Sequence, residues 1–170
     1  MEREIVNRVA SSALITFDLE DLYVSGDRVE FDIKDLLHEG LILKEKEFRD
    51  FIKSNDWTLY RDKLVAITCS ADAIVPTWGY MLLAVALAPY AKTVFFGSLA
   101  QLEDRLFEEA LGKVDWEKFR GEKVVIKGCS KVEVPPSAYV EVARRLQPLV
   151  VSMMYGEPCS TVPLYKKPKG

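Results

Sequence analysis

The sequence predicts an α/β fold in which duplicated βαβ units form a parallel, doubly wound (Rossmann-like) sheet, preceded by an N-terminal hairpin and helix. Three observations lead there: an internal repeat, short β-branched runs alternating with helical runs, and prolines placed where helices start and stop. The repeat is visible in the letters. Asp56-Trp57-Thr-Leu-Tyr60-Arg61 returns as Asp115-Trp116-Glu-Lys-Phe119-Arg120, and Lys63-Leu-Val-Ala-Ile-Thr-Cys69-Ser70 returns as Lys123-Val-Val-Ile-Lys-Gly-Cys129-Ser130. Val75-Pro76 and Tyr80 then match Val134-Pro135 and Tyr139, Leu87 and Pro89 match Leu146 and Pro148, and Gly97 matches Gly156. Order and an offset of 59 or 60 residues are kept throughout, as duplication requires.

The 170 residues are read as one domain in three segments: an N-terminal α+β segment (1–55), the duplicated core (56–165) and a short basic tail (166–170). In the first segment Leu14 to Leu19 and Arg28 to Ile33 are strand-like. The second alternates Val29, Phe31 and Ile33 with Glu30 and Asp32. Ser25-Gly26-Asp27 between them is turn chemistry, which predicts a hairpin. Leu43 to Ile52 places Phe48, Phe51 and Ile52 on one face and Lys46, Arg49, Asp50 and Lys53 on the other, an amphipathic helix.

Within the core, Lys63 to Thr68 and Lys123 to Lys127 read as strands. Helices begin near Pro76 and Pro135/Pro136, where a missing N–H is harmless, and end before Pro89 and Pro148. Thr93 to Phe96 and Val150 to Tyr155 close the two copies, and a helix over Leu99 to Leu111 joins them. Two right-handed βαβ units then give a four-stranded parallel sheet with the first strands of the copies adjacent in the middle. The helix Tyr80 to Leu87 is apolar all round, whereas Tyr139 to Leu146 carries Glu141, Arg144 and Arg145. An all-apolar helix must be covered on both sides, here by the N-terminal hairpin or by a second subunit of a homodimer.

Composition bounds the chemistry. A net charge of −3 argues against gripping nucleic acid. The N-terminus is charged from its second residue, and the longest apolar stretch, Met81 to Ala88, stops at Pro89. Neither a signal peptide nor a membrane span is expected, and a cytoplasmic protein is. One histidine removes HExxH and poly-His sites, and no G-x-S-x-G elbow accompanies it. No Walker A or dinucleotide fingerprint is found, and any small-molecule ligand stays unknown.

The three cysteines carry the functional expectation. Each is followed by Ser, then by Val-Pro, then by Tyr, and each lies just past a strand: Cys69-Ser70, Cys129-Ser130 and Cys159-Ser160. If the first strands of the copies are adjacent, these sulfurs converge at the carboxyl edge of the sheet, the topological switch point. Helix N-termini would lower the thiol pKa values, and three thiolates together need a soft cation: Zn²⁺, iron or an iron–sulfur cluster. Ser70, Ser130 and Ser160 would then donate to sulfur. A fourth ligand could be Asp72, Glu157 or His38. Asp72 equally suits a helix cap, Glu157 a solvated loop and His38 a surface turn. Trp78 could shield the metal from water. Without a metal, the thiols are core packing, or one of them is a nucleophile or redox group.

The segments FDLEDLY, GLILKEKEFRDF, VAITCSADAIVPTWGYMLL, VVIKGCS and MYGEPCSTVPLYK together resemble an uncharacterised bacterial domain-of-unknown-function family with three Cys-Ser motifs. The resemblance covers nearly the whole chain. It implies little about activity beyond a setting near iron–sulfur assembly genes, which moves iron up slightly against zinc. The expectation is therefore a metal-binding protein with Cys69, Cys129 and Cys159 as ligands. A thiol-dependent enzyme and a non-catalytic dimeric scaffold are the alternatives.

Overall fold

The computed structural model describes residues 13–128, 131–157 and 160–169. Among these residues seven strands and four α-helices follow in the order β1 (Leu14–Asp18), β2 (Arg28–Asp32), α1 (Glu45–Ser54), β3 (Leu64–Thr68), α2 (Thr77–Leu87), β4 (Thr93–Phe96), α3 (Leu99–Gly112), β5 (Lys123–Lys127), α4 (Pro136–Leu146), β6 (Ser152–Glu157) and β7 (Ser160–Lys166). Short 3₁₀ turns occupy Leu19–Leu22, Ile33–Leu36, Trp57–Tyr60 and Trp116–Phe119.

These elements do not form one sheet. The chain divides into a split unit, Met1–Val24 with Asp104–Gly170, and a continuous unit, Ser25–Glu103. The split unit holds the sheet β1-β5-β6-β7 and the continuous unit the sheet β2-β3-β4. β1 runs parallel to β5, and β5 to β6, with β7 antiparallel at the edge. In the other unit β2, β3 and β4 are all parallel. Two expectations are thereby corrected. The first strands of the copies, β3 and β5, lie in different sheets, so no four-stranded sheet of two βαβ units forms. Nor do β1 and β2 form a hairpin. Each joins a different copy, on the outer side of β5 or of β3.

The physical cause is a second repetition, at shorter range. Phe17-Asp18-Leu19-Glu20-Asp21-Leu22 returns as Phe31-Asp32-Ile33-Lys34-Asp35-Leu36. In each, a strand ends on Asp, and that carboxylate accepts the N–H two residues on, Glu20 or Lys34, at 3.0 Å, which starts a 3₁₀ turn. Phe17 sits opposite Ile126, and Phe31 opposite Ile67. The side chains Leu19 and Ile33 that follow are fully buried. Each copy therefore needs one such strand, and the two strands are strung together at the start of the chain.

The repeat also extends further back than residue 56. Trp57 donates its indole N–H to Ile52 O at 2.8 Å, and Trp116 donates to Leu111 O at 3.2 Å. At the same offset of 59, Phe48 of α1 matches Phe107 of α3, and both are buried. The second half of α3 is thus the counterpart of α1 as well as a connector. Leu83 and Leu87 of α2, like Val142 and Leu146 of α4, pack their unit's core. Each fully buried leucine there contributes about 2 kcal/mol through the hydrophobic effect.

β7 is an element that the sequence reading does not contain. Val162-Pro163 was expected to echo Val75-Pro76 and Val134-Pro135, which precede helices, but it lies inside a strand. Proline is tolerated there because β7 is an edge, and a register irregularity at Met153/Met154 sits beside it.

Candidate functional site

The carboxyl edges of the two sheets hold the candidate residues. In the continuous unit Asp32 ends β2, and Cys69 and Ser70 follow β3. Ser70 donates its amide to Asp32 at 3.1 Å and its hydroxyl at 2.5 Å. The Lys34 ammonium lies 3.4 Å from the same carboxylate. Partial burial pushes the Asp32 pKa up. The Ser70 hydroxyl, the Lys34 and Ser70 amides and the Lys34 side chain outweigh it, and hold the group at about 2. Ser70 is therefore a clasp on Asp32, tying β2 to the end of β3.

Cys69 is half-buried, and its Sγ lies 3.6 Å from Ala71 O. Tyr80, on α2, has its pKa raised by burial first and then by the negative charges of Cys69 and Asp32. Its ring meets Phe96 edge-on at 4.8 Å. Trp78, expected as a shield for metal, packs on Phe48 at 5.9 Å as part of the core wall.

In the split unit the corresponding edge is charged. Lys127, the last residue of β5, places its ammonium 3.6 Å from Asp18 at the end of β1 and 3.5 Å from Glu157 at the end of β6. Glu157 first, and Asp18 less, raise the Lys127 pKa. Tyr139 and Tyr155 meet edge-on at 5.7 Å, repeating Tyr80 and Phe96. The sister positions of Lys127 and Glu157 are Thr68 and Ser98, so this charged triad belongs to one unit alone.

The positions of the other candidates can be stated singly. Cys129, Ser130 and Cys159 lie outside the described residues. Ser160 opens β7 opposite Glu157 and is exposed. His38 bonds through its backbone to Ile42, with Glu39 at 3.8 Å and Glu47 at 4.0 Å from its ring. Asp72 is exposed and does not cap α2. That helix starts at Thr77, with Pro76 in the capping position and no side-chain cap. Among the described residues no three His, Cys, Asp or Glu side chains gather into a group able to hold a metal.

The strand registers also correct the pairing of the cysteines. Strands, helices and 3₁₀ turns all repeat at 59 residues, whereas pairing Cys69 with Cys129 needs 60. Carried past the strand ends, the structural offset aligns Cys69 with Gly128 and Ser70 with Cys129. The local geometry explains the glycine: a Cβ at Gly128 would lie 2.8 Å from the Tyr139 hydroxyl and 3.2 Å from Leu19 Cβ. The expected convergence of all three sulfurs on adjacent central strands therefore loses its basis, since β3 and β5 are not neighbours.

The signal that sequence reading missed is the pair of Phe-Asp segments, 14 residues apart, which carry Asp18 and Asp32 to the two edges. No described helix is long and apolar enough to cross a membrane. A family model described as protein of unknown function (DUF2480) matches residues 3–167. No curated protein and no solved structure matches the chain.

Proposed function

The chain belongs to the DUF2480 family of proteins of unknown function, and from that premise we propose that it is a metal-binding protein whose thiolate ligands are Cys129 and Cys159. The observation that supports this is the parallel pairing of β5 and β6, with Ile126 opposite Tyr155. In the sequence Cys129 is the second residue beyond β5 and Cys159 the second beyond β6. Two thiolates at one sheet edge repel unless a soft cation lies between them, and zinc or iron, alone or in an iron–sulfur cluster, meets that need.

Glu157 supplies an oxygen donor on the same edge. Its side chain is 61% exposed and pairs with Lys127 at 3.5 Å. Lys127 keeps a positive charge beside the thiolates and offsets their repulsion. Two or three protein ligands leave open positions, which suit an exchangeable ligand or transfer of the metal centre better than a closed structural site. Cys69 is left out of the set, because it belongs to the continuous unit and its strand does not neighbour β5.

Anaerobic purification, elemental analysis and an absorption spectrum test this reading. Visible charge-transfer absorption identifies iron–sulfur, and colourless stoichiometric metal identifies zinc. Cys129→Ser and Cys159→Ser are each expected to lose the metal, while Cys69→Ser keeps it. Metal-free protein in which one thiol alkylates rapidly would support a nucleophilic cysteine instead.

A further inference from the structure

Each unit packs a cluster of aromatic rings against its outer strand, and the clusters differ at one position. In the continuous unit Phe31 stacks on Trp57 at 6.2 Å, meets Tyr60 at 5.9 Å and has Phe51 of α1 edge-on at 6.3 Å. In the split unit Phe17 stacks on Trp116 at 5.5 Å and meets Phe119 at 5.5 Å. The two indole N–H groups bond to Ile52 O and Leu111 O, which fixes the register of the helices. One residue earlier, Phe51 is therefore matched by Ala110. Among the described residues Phe17 thus lacks the edge-on ring that Phe31 has.

Beside Phe17 the split unit holds a groove of about 470 Å³, a volume in the range of small-molecule sites. Phe17, Phe119 and Val114 give it apolar walls, and Asp18, Asp21 and Lys118 line it with charge. The Lys118 ammonium lies over the Phe119 ring, 5.0 Å from its centre, and Asp18 pairs with Lys127 at 3.6 Å. Asp21 is exposed. With two carboxylates against one ammonium on its walls, the groove favours a cation over an anion.

We propose that this groove is a binding site for a small arylalkylamine, an aromatic ring carrying a protonated amine. The ring takes, against Phe17, the edge-on place that Phe51 takes against Phe31, an arrangement favoured beyond the area it buries. The ammonium group pairs with Asp21. Duplication supplies the means, because alanine in place of phenylalanine at one helix position leaves room for a ring from outside the chain.

Amide NMR of the full chain, titrated with 2-phenylethylamine, tests the proposal. Saturable shifts at Phe17, Asp21, Val114 and Phe119 are expected, with a Kd of about 1 mM or below. Asp21→Asn should weaken the amine about threefold, as for an exposed ion pair, and leave 2-phenylethanol unchanged. 3-Phenylpropionate loses that attraction and adds repulsion, so it should bind about tenfold more weakly than the amine. Ala110→Phe restores the sister unit's ring and should weaken the amine and the alcohol alike, at least about tenfold, with the circular dichroism of the parent. If that variant does not fold, the amine–anion comparison and Asp21→Asn decide. The absence of saturable shifts at the groove would overturn the proposal, because it means that the chain, residues 1–12 included, fills the groove itself. Equal binding of the amine and the anion, or a folded Ala110→Phe that binds like the parent, equally refutes it.

Discussion

Replacing Ser70 with alanine removes the hydroxyl that grips Asp32, and its effect can be worked from the geometry. Asp32 accepts the Ser70 hydroxyl at 2.5 Å, the Ser70 amide at 3.1 Å and the Lys34 amide at 3.0 Å. Together with the Lys34 ammonium they lower its pKa from 3.8 to about 2. At about 1.4 kcal/mol per pH unit, this net shift corresponds to about 2.5 kcal/mol. The Asp32 side chain is 16% exposed, so solvent screening trims this. The hydroxyl's share is then about 1 kcal/mol, that of a typical hydrogen bond.

Urea unfolding at pH 7 should therefore show Ser70→Ala less stable by about 1 kcal/mol. Because the folded pKa lies below the unfolded one, this stability is complete above about pH 4 and is lost as pH falls toward 2. The gap between parent and variant should shrink over that window. A gap that persists unchanged at pH 2, or an Asp32 that titrates near 3.8 by NMR, would refute the clasp.

The duplication makes matched predictions in the two units. Trp57→Phe and Trp116→Phe each lose an indole N–H bond to a carbonyl five residues earlier and should each cost about 1 kcal/mol in chemical denaturation. An effect in one unit alone would contradict their equivalence. Gly156 has φ +114°, and a Cβ there would lie 2.7 Å from Ser160 O, a backbone atom that cannot swing aside. Gly156→Ala should destabilise by about 2 kcal/mol or more, and an unchanged melting temperature would argue against the β6–β7 pairing. Glu141, held at about 2 by Arg144 and then Arg145, is an exposed-face cluster on α4. Glu141→Gln should change stability by less than about 1 kcal/mol at neutral pH by thermal melting.

The local elements were legible because their causes are local. Leu64 to Thr68 and Lys123 to Lys127 are β-branched and bounded by turns. Pro76 and Pro136 mark helix starts, and the α1 stripe has helical spacing. Strand partners were not legible, because alternation in Val29, Phe31 and Ile33 specifies a buried face but names no neighbour. The turn letters Ser25-Gly26-Asp27 suggested a hairpin, whereas the chain there passes from one unit to the other. The repeated Phe-Asp segments held the missing information, since two copies with one open strand edge each need two such strands. Pro163 misled in the opposite direction, because a proline on an edge strand and one before a helix look alike in sequence.

The cysteine alignment departs from the structural repeat by a single residue. Matching Cys-Ser to Cys-Ser is natural in letters, but strand ends and helix starts hold the offset at 59 and set Gly128 against Cys69, where the Tyr139 hydroxyl leaves no room for a side chain. What the strand registers supply is that Cys129 and Cys159 each come two residues after one of two paired strands, β5 and β6.

Metal content per chain, measured by elemental analysis after anaerobic purification of the parent and the three single Cys→Ser variants, tests the proposed metal site most directly. Stoichiometric metal in the parent and in Cys69→Ser, with loss in Cys129→Ser and Cys159→Ser, is the predicted result. Metal retained in both of the latter variants, or absent from the parent, would contradict it.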